Sequence, residues 1–484
     1  MGEATTAKNY INGTWKDAGS TGTLQSMNPA TGEVIGTCVM SGEQDVAEAV
    51  QGAKEAYAVW RRVPAPERAD YLWKVADILQ ERKNELATMM TLEMGKVYAE
   101  SLGEVEAVIA SCKYMAGEGR RMFGETIPTS SPERMAMTVR EPLGVVACIT
   151  PWNFPVALAA YKIFAALVSG NTIVWKPASN VSLSAKLFTE VFASANLPAG
   201  VLNVVFGSGS TVGHVLVQHQ DVKVIAFTGS TEVGMKLAES GSRSLKRISL
   251  ELGGKNAVIV LADADLSAAA VGIVKAAFTT TGQRCTAASR VIVEESVRAE
   301  LEKRIVALTE QLRIGNGLEE GIDIGPLANA AQMNTVKEYV EIAKEEGGHI
   351  LTGGYALQTE EHRKGFYYAP TVITNVRQEH RIAREEIFGP VLAIISAQNF
   401  DEAVAFNNDT EYGLSSAIYT SSLHYANRAA RELESGLVYI NNGTSNAETG
   451  MAFGGMKLSG NGHREVSYHA FDVMTEWKTV YTNY

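Results

Sequence analysis

The chain has 484 residues, 46% hydrophobic and 20% charged, enough for two or three domains with sizeable cores and too apolar for a disordered polymer. A net charge of −11, with no Lys/Arg-rich run to reverse it locally, argues against a nucleic-acid partner. Four scattered cysteines (Cys38, Cys112, Cys148, Cys285) form no CxxC pair and the eight histidines are dispersed, so a reducing, cytoplasmic setting without disulfides or a bound metal is expected.

Met1–Thr6 has neither a basic region nor an apolar core, so no signal peptide is expected; its Gly2 fits an acylation pattern that short sequences match by chance. Asn12-Gly13-Thr14 and Asn442-Gly443-Thr444 are glycosylation sequons without meaning outside a secretory route. Amphipathic periodicity predicts long helices over Asp45–Arg61, Ala65–Met90 and Val97–Arg121. Glu133–Arg140 and, near the other end, Phe471–Tyr481 alternate two sets of side chains and read as strands whose edges pair with another chain. The apolar stretch from Gly144 to Val168 is interrupted by Pro151, Asn153, Pro155 and Lys162. It predicts a buried strand and then a helix, and no membrane span.

From there short Val/Ile-rich runs alternate with helical patterns. Gly144–Thr150, Thr172–Trp175, Leu202–Phe206, Val222–Phe227 and Ile248–Leu250 form one parallel βα series, with helices such as Ser182–Ala195 and Thr231–Ser240 between them. Ala257–Leu261, Arg290–Val293, Thr371–Ile373, Val391–Ile395 and Val438–Ile440 form a second. Two glycine turns follow strands of the first series. Gly207-Ser208-Gly209-Ser210-Thr211-Val212-Gly213 opens a helix with GxGxxxG spacing, one residue longer than the dinucleotide fingerprint, and Phe227-Thr228-Gly229-Ser230 opens the next. Each alone is explained by helix capping. Together, at the carboxyl ends of adjacent strands, they suit a nucleotide crevice.

The chemistry concentrates at Phe278-Thr279-Thr280-Thr281-Gly282-Gln283-Arg284-Cys285-Thr286-Ala287 and at Glu251-Leu252-Gly253-Gly254-Lys255. A cysteine on a glycine-containing turn with a carboxylate available elsewhere suggests a thiol nucleophile and a base that later activates water, hence a thioester intermediate. The other three cysteines read as small buried hydrophobes. Arg284 offers a cation to a carboxylate or phosphate at the far end of a substrate, unless it turns away to a structural carboxylate.

These two segments resemble the aldehyde dehydrogenase superfamily, and the similarity runs from Tyr10 to Tyr484. It implies an α/β fold with a Rossmann-like NAD(P)-binding domain (residues 1–120 and 142–251), a second α/β catalytic domain (252–452) and a small β oligomerisation flap (121–141 and 469–484) of a homodimer or homotetramer. It makes Cys285 the nucleophile, Glu251 the base and Asn153, in Thr150-Pro151-Trp152-Asn153-Phe154-Pro155, an oxyanion donor beside the Cys285 N–H. Thr150, Trp152, Phe227, Gly253, Gly209 and Gly213 join the cofactor site, with Gly229 and Ser230 as its Gly-Ser pair. In Val174-Trp175-Lys176-Pro177-Ala178-Ser179, Lys176 matches the lysine that binds the adenosine ribose. Members strict for NAD often carry Glu where this chain has Ser179, so NADP is expected to be tolerated or preferred. Glu386 matches the residue that grips the nicotinamide ribose, with Phe388 beside the ring.

Glu251 also implies hydrolysis to the free acid, because members that pass the acyl group to coenzyme A usually lack it. The Gln283-Arg284-Cys285 run and the stretches Phe453–Glu465 and Asp472–Lys478 are most similar to α-ketoglutaric semialdehyde dehydrogenases, with Phe453 lining the substrate tunnel. Succinic semialdehyde enzymes commonly carry arginine where this chain has Tyr161, which weakens that substrate. A general aliphatic or aromatic aldehyde dehydrogenase is the nearest alternative. A cofactor-independent thiol esterase would ignore Lys176 and Glu386, and a non-catalytic NAD(P)-binding protein would not need Cys285, Glu251 and Asn153 together.

Overall fold

The computed structural model describes residues 5–19 and 22–484; Met1–Ala4, on which the signal and acylation expectations fall, lie outside them. Two seven-stranded sheets organise the chain. The first runs in the order Arg247–Glu251, Val222–Thr228, Val145–Ile149, Thr172–Lys176, Leu202–Val204, Asn9–Ile11, Thr14–Lys16; its first five strands are parallel, and an N-terminal hairpin closes the edge antiparallel. Side chains alternate across it. Val145, Ala147 and Ile149 pack under helix Glu43–Trp60 with Val46, Ala49 and Val50, while Val146 and Cys148 join the core built by helices Ala65–Met94, Tyr98–Glu118, Ala157–Ser169 and Ser182–Ser194. Strands buried on both faces must be apolar throughout, so they were readable as short Val/Ile runs.

The second sheet runs His349–Thr352, Thr371–Thr374, Val391–Ala397, Arg290–Glu294, Ala257–Val260, Ser415–Tyr419, Leu437–Ile440, parallel except for the first strand. Ser415–Tyr419 was not foreseen, because two serines open it. Both are buried, and the Ser416 hydroxyl bonds Asn407 and Ser435. A third sheet pairs Thr475–Asn483 with Arg134–Pro142 along nine register positions, with Glu125–Ile127 beyond.

One expectation needs correction. The strand expected over Phe471–Tyr481 begins only at Thr475: Ala470–Met474 is a helical turn whose Ala470, Phe471, Val473 and Met474 are buried in the first sheet's helical core. Apolar residues clustered on one side of a turn defeat the two-residue alternation there. The Gly209–Gly213 segment is a single wide turn of helix, and only His214–Gln218 continues it as α-helix.

In the first sheet the chain leaves Val145–Ile149 in one direction and returns on its other side at Val222–Thr228. The carboxyl ends of those two strands therefore flank a switch point, where open α/β sheets leave a crevice. Among the described residues no helix is long and apolar enough to cross a membrane, and no group of three or more His, Cys, Asp and Glu side chains could hold a metal ion.

Asn171 ties the start of this sheet to the C-terminal segment. Its side-chain oxygen accepts from the N–H groups of Leu143 (2.8 Å) and Gly144 (2.9 Å), and its amide donates to the Met474 carbonyl (2.8 Å). Asn171→Ala leaves three backbone groups unpaired, that of Leu143 only half-buried, and is expected to cost about 2–4 kcal/mol, read as a lowered denaturant midpoint.

Candidate active site

A cavity of about 240 Å³ opens between the carboxyl ends of the first sheet's strands and the loops that enter Arg290–Glu294 and Val391–Ala397 of the second. Pro151, Trp152, Asn153, Leu158, Thr228, Gly229, Ser230, Leu252, Gly253, Cys285, Gln332, Glu386 and Phe388 line it. Eight of the residues singled out in the sequence meet here: Trp152, Asn153, Gly229, Ser230, Gly253, Cys285, Glu386 and Phe388. A wider depression of about 490 Å³, along helix Leu266–Phe278 and residues 442–446, contains none of them.

Cys285 is partly exposed to the cavity, whereas Cys38, Cys112 and Cys148 are buried. Burial pushes the Cys285 thiol up to about 12, and the charges of Glu386 and Glu251 push the same way; the Thr286 N–H and Arg284 oppose them weakly. The turn before it is strained. Thr280 (φ 55°) and Thr281 (φ 57°) hold left-handed backbone that β-branched residues avoid. Glu100 accepts the Thr280 N–H (2.8 Å), and Thr281 Oγ1 donates to the Gly325 carbonyl (2.9 Å). Asn153 sits across from it, its amide Nδ2 donating to the Gln283 carbonyl at 3.1 Å.

Glu251 ends strand Arg247–Glu251 just behind the cavity lining. Both carboxylate oxygens are buried without a hydrogen-bond partner among the described residues. One packs so closely over Gly454 that a Cβ there would come within 2.7 Å of it. Burial holds Glu251 well above the ordinary carboxylate range, and Glu465 adds to this while Lys162 and Arg464 subtract. Lys162, wholly buried on helix Ala157–Ser169, pairs with Glu465. Phe453 is bridged to Glu465 by two backbone hydrogen bonds, 3.0 and 2.8 Å. Tyr161, raised by burial and by Glu104 and Glu465, stands on the same helix. Neither Phe453 nor Tyr161 lines the cavity.

The cofactor candidates form a connected run. Gly229 N–H donates to the Glu251 carbonyl at 3.1 Å, and a Cβ on Gly229 would meet the Phe227 ring at 2.4 Å. A Cβ on Gly253 would lie 2.2 Å from Glu386 Oε2, and Glu386 Oε1 accepts the Gly254 N–H at 3.0 Å. Burial raises Glu386 to about 7, offset by that N–H and by Lys255, itself buried, without a hydrogen-bond partner among the described residues and lowered to about 7. Phe388 takes φ 57°, its ring edge-on to Trp152 at 5.6 Å; Gln332 Nε2 holds the turn through the carbonyls of Ile387 and Phe388, both at 2.9 Å. Gln332 had no local sequence signal.

Further along the first sheet, Thr150 accepts from the Trp175 indole (2.9 Å) and Ser179 donates to the Gly207 carbonyl (3.0 Å). Lys176, lowered to about 8 by burial, spends one N–H on the Pro177 carbonyl (2.9 Å), with Gly213 beside its side chain. Gly209 is open on its Cβ side. These residues suit a dinucleotide. A buried ammonium keeps donors to spare, the Thr228 hydroxyl is buried in the cavity wall without a partner among the described residues, and two glycines leave room that a Cβ would fill.

Arg284 turns away from the cavity. It lies over the Phe154 ring at 5.3 Å, Nε donates to Thr280 Oγ1 at 2.9 Å, and Nη2 stands 4.0 Å from Glu100.

The sequence model of the Aldehyde dehydrogenase family matches residues 15–480. The chain is 41% identical to the alpha-ketoglutaric semialdehyde dehydrogenase of Bacillus subtilis (strain 168), over 99% of this chain and 98% of that one. It is 38% identical to a glutarate-semialdehyde dehydrogenase of Pseudomonas putida, over 96% and 95%. The crystal structure of betaine aldehyde dehydrogenase from Staphylococcus aureus with NAD+ is similar at a TM-score of 0.96 and 32% identity, covering 99% of this chain and 94% of that one. With a family match across nearly its whole length and a thiol, an amide and a carboxylate gathered at one crevice, the chain belongs to the aldehyde dehydrogenase family.

Proposed function

We propose that the protein oxidises a short carboxylate-bearing semialdehyde, such as α-ketoglutaric semialdehyde, to the acid with NAD+ or NADP+. The observation that carries this reading is the juxtaposition of Cys285, Asn153 and Glu386 around one cavity, with Glu251 directly behind it; the similarity to semialdehyde dehydrogenases supports the substrate class.

Burial, and Glu386 and Glu251 when charged, push the Cys285 thiol upward, so its attack calls for a base to remove the proton. Glu251, raised in basicity by the same burial and free of hydrogen bonds among the described residues, is the group able to take that proton. The sulfur adds to the aldehyde carbon, and the new oxyanion is met by the Asn153 amide and the Cys285 N–H. Each such donor typically lowers a barrier by roughly 3–4 kcal/mol. NAD(P)+ supplies the hydride acceptor, which Glu386, Lys176 and the Gly229–Ser230 turn would hold. Glu251 has to pass the thiol proton on to solvent before it can draw one from the water that cleaves the thioester; it returns that second proton to the sulfur, so the acid leaves and the thiol is restored.

Arg284 is the proposed substrate anchor. Its contact with Glu100 is long at 4.0 Å, and its Nη groups make no hydrogen bond among the described residues, so rotation about its side chain can offer a fork to a carboxylate. Phe453 and Tyr161 are the proposed second layer of the substrate passage. We further propose a cytoplasmic homodimer or homotetramer, in which the strand edges beside Arg134–Pro142 and Thr475–Asn483 meet another copy.

The central test measures reduced-cofactor formation over α-ketoglutaric, succinic, aliphatic and aromatic aldehydes. Cys285→Ala is expected to abolish it with all four, and Arg284→Met to raise KM about tenfold for the acidic pair alone. Equal effects on neutral aldehydes would remove Arg284 from the substrate site.

Glu251→Gln is expected to cut turnover by about 10²–10⁴ and to slow the first-turnover formation of reduced cofactor as well, because the group that takes the Cys285 proton is gone. In the wild type kcat should climb with pH through a value above the ordinary carboxylate range, because Glu251 acts only once it has lost its proton. That limb should vanish in the Gln variant.

Ser179→Glu places a like charge where a 2′-phosphate would sit. It is expected to raise the KM for NADP about tenfold while moving that for NAD by about threefold or less.

A further inference from the structure

Helix Tyr98–Glu118 lies outside both sheets, yet two of its carboxylates reach the two halves of the site. Glu100 and Glu104 are one turn apart and therefore on one face. Glu104 is wholly buried. It accepts the N–H groups of Val156 (3.0 Å) and Ala157 (2.9 Å), which open a helix that has no capping side chain of its own. Its other oxygen pairs with Lys96, also wholly buried. Lys96 donates a second hydrogen to the Asn153 backbone carbonyl (2.8 Å), and its Nζ stands 4.0 Å from the Phe154 ring centroid. All three ammonium hydrogens thus have a receiving group.

Glu100, for its part, holds the strained nucleophile turn through the Thr280 N–H. From Thr280 the connection returns: its carbonyl accepts from Gln283 N (3.0 Å) and Nε2 (3.3 Å), and the Gln283 carbonyl accepts the Asn153 amide (3.1 Å). The bonds close a ring from Lys96 through Asn153, Gln283, Thr280, Glu100 and the helix to Glu104 and back to Lys96.

We propose that this ring is a positioning device: Lys96 and Glu104 place the Asn153 donor, Glu100 places the Cys285 turn, and the single helix turn between the carboxylates sets their separation. The inference rests on Cys285 and Asn153 having the roles given above. A buried ion pair is by itself weak evidence of purpose, since such pairs often contribute little net stability. Here each member ends on a backbone group of the reacting loops, which a pair serving stability alone does not require. Two adjacent β-branched residues at positive φ persist only when their surroundings over-determine them, and Glu100 supplies one of those constraints.

A double-mutant cycle on the full chain tests it. Lys96→Met is expected to lower kcat about 10–100-fold, the size of a misplaced or lost oxyanion donor, while cofactor KM stays within about twofold. In an Asn153→Ala background the same substitution should then cost less than about threefold, because the group it positions is already gone. Losses that multiply in full would show a merely structural pair and overturn the proposal.

If Lys96→Met does not fold, Glu100→Gln serves, keeping volume while weakening the bond to Thr280. It is expected to slow alkylation of Cys285 by iodoacetamide and lower kcat together, and unchanged values of both would equally overturn the proposal. Turnover surviving in Cys285→Ala would instead sink the functional reading on which the ring depends.

Discussion

The crevice is organised around a thiol flanked by carboxylates. Taking Cys285 out of water disfavours the thiolate, and two carboxylates nearby disfavour it further. On the reading proposed above, that constraint sets what its neighbours must supply. A base must stand close enough to remove the proton, yet it cannot be a solvated carboxylate, which would be too weak. On that reading Glu251 is the base: it is buried, both oxygens lack a hydrogen-bond partner among the described residues, and Glu465 adds repulsion to its charged form. The proposed oxyanion donor, Asn153, is held in place beforehand by its hydrogen bond to the Gln283 carbonyl.

The architecture delivers these groups from opposite directions. Strands of the first sheet present Asn153, Gly229, Glu251 and Gly253 at their carboxyl ends, while the second sheet presents Cys285 and Glu386 on loops that enter strands. Bringing the two together brings Gly253 against Glu386 with no room for a Cβ. The glycine is therefore part of the fit between sheets, as much as of any ligand contact.

Much of this was legible in the sequence, and the failures have physical causes. Parallel strands buried on both faces announce themselves as apolar runs, and motif residues at strand ends mark the crevice. The N-terminal hairpin was missed although Asn12 and Gly13, at φ 52° and 77°, form the two-residue turn that Asn-Gly signals; the dipeptide had been read only as part of a sequon. Ser415–Tyr419 escaped because a buried strand can carry serines when each finds a partner. Lys96, Glu104, Lys162 and Glu465 were invisible as pairs. Their local patterns are those of ordinary helix and loop charges, and only the fold brings Lys162 to a carboxylate 303 residues away. Arg284 shows the same limit: its neighbours Phe154 and Glu100 belong to other segments.

The strand Thr475–Asn483 has an implication for how the protein is made. Its partner, Arg134–Pro142, is synthesised far earlier; Arg134 and Asn483 lie 349 residues apart. During translation the first sheet and its helices can assemble on the ribosome, but the long edge of Arg134–Pro142 has to wait, and Asn171 waits with it for the Met474 carbonyl. A nascent chain stalled before residue 470 therefore carries a nine-residue β edge with no partner of its own. That edge is open to mispairing until the last strand emerges.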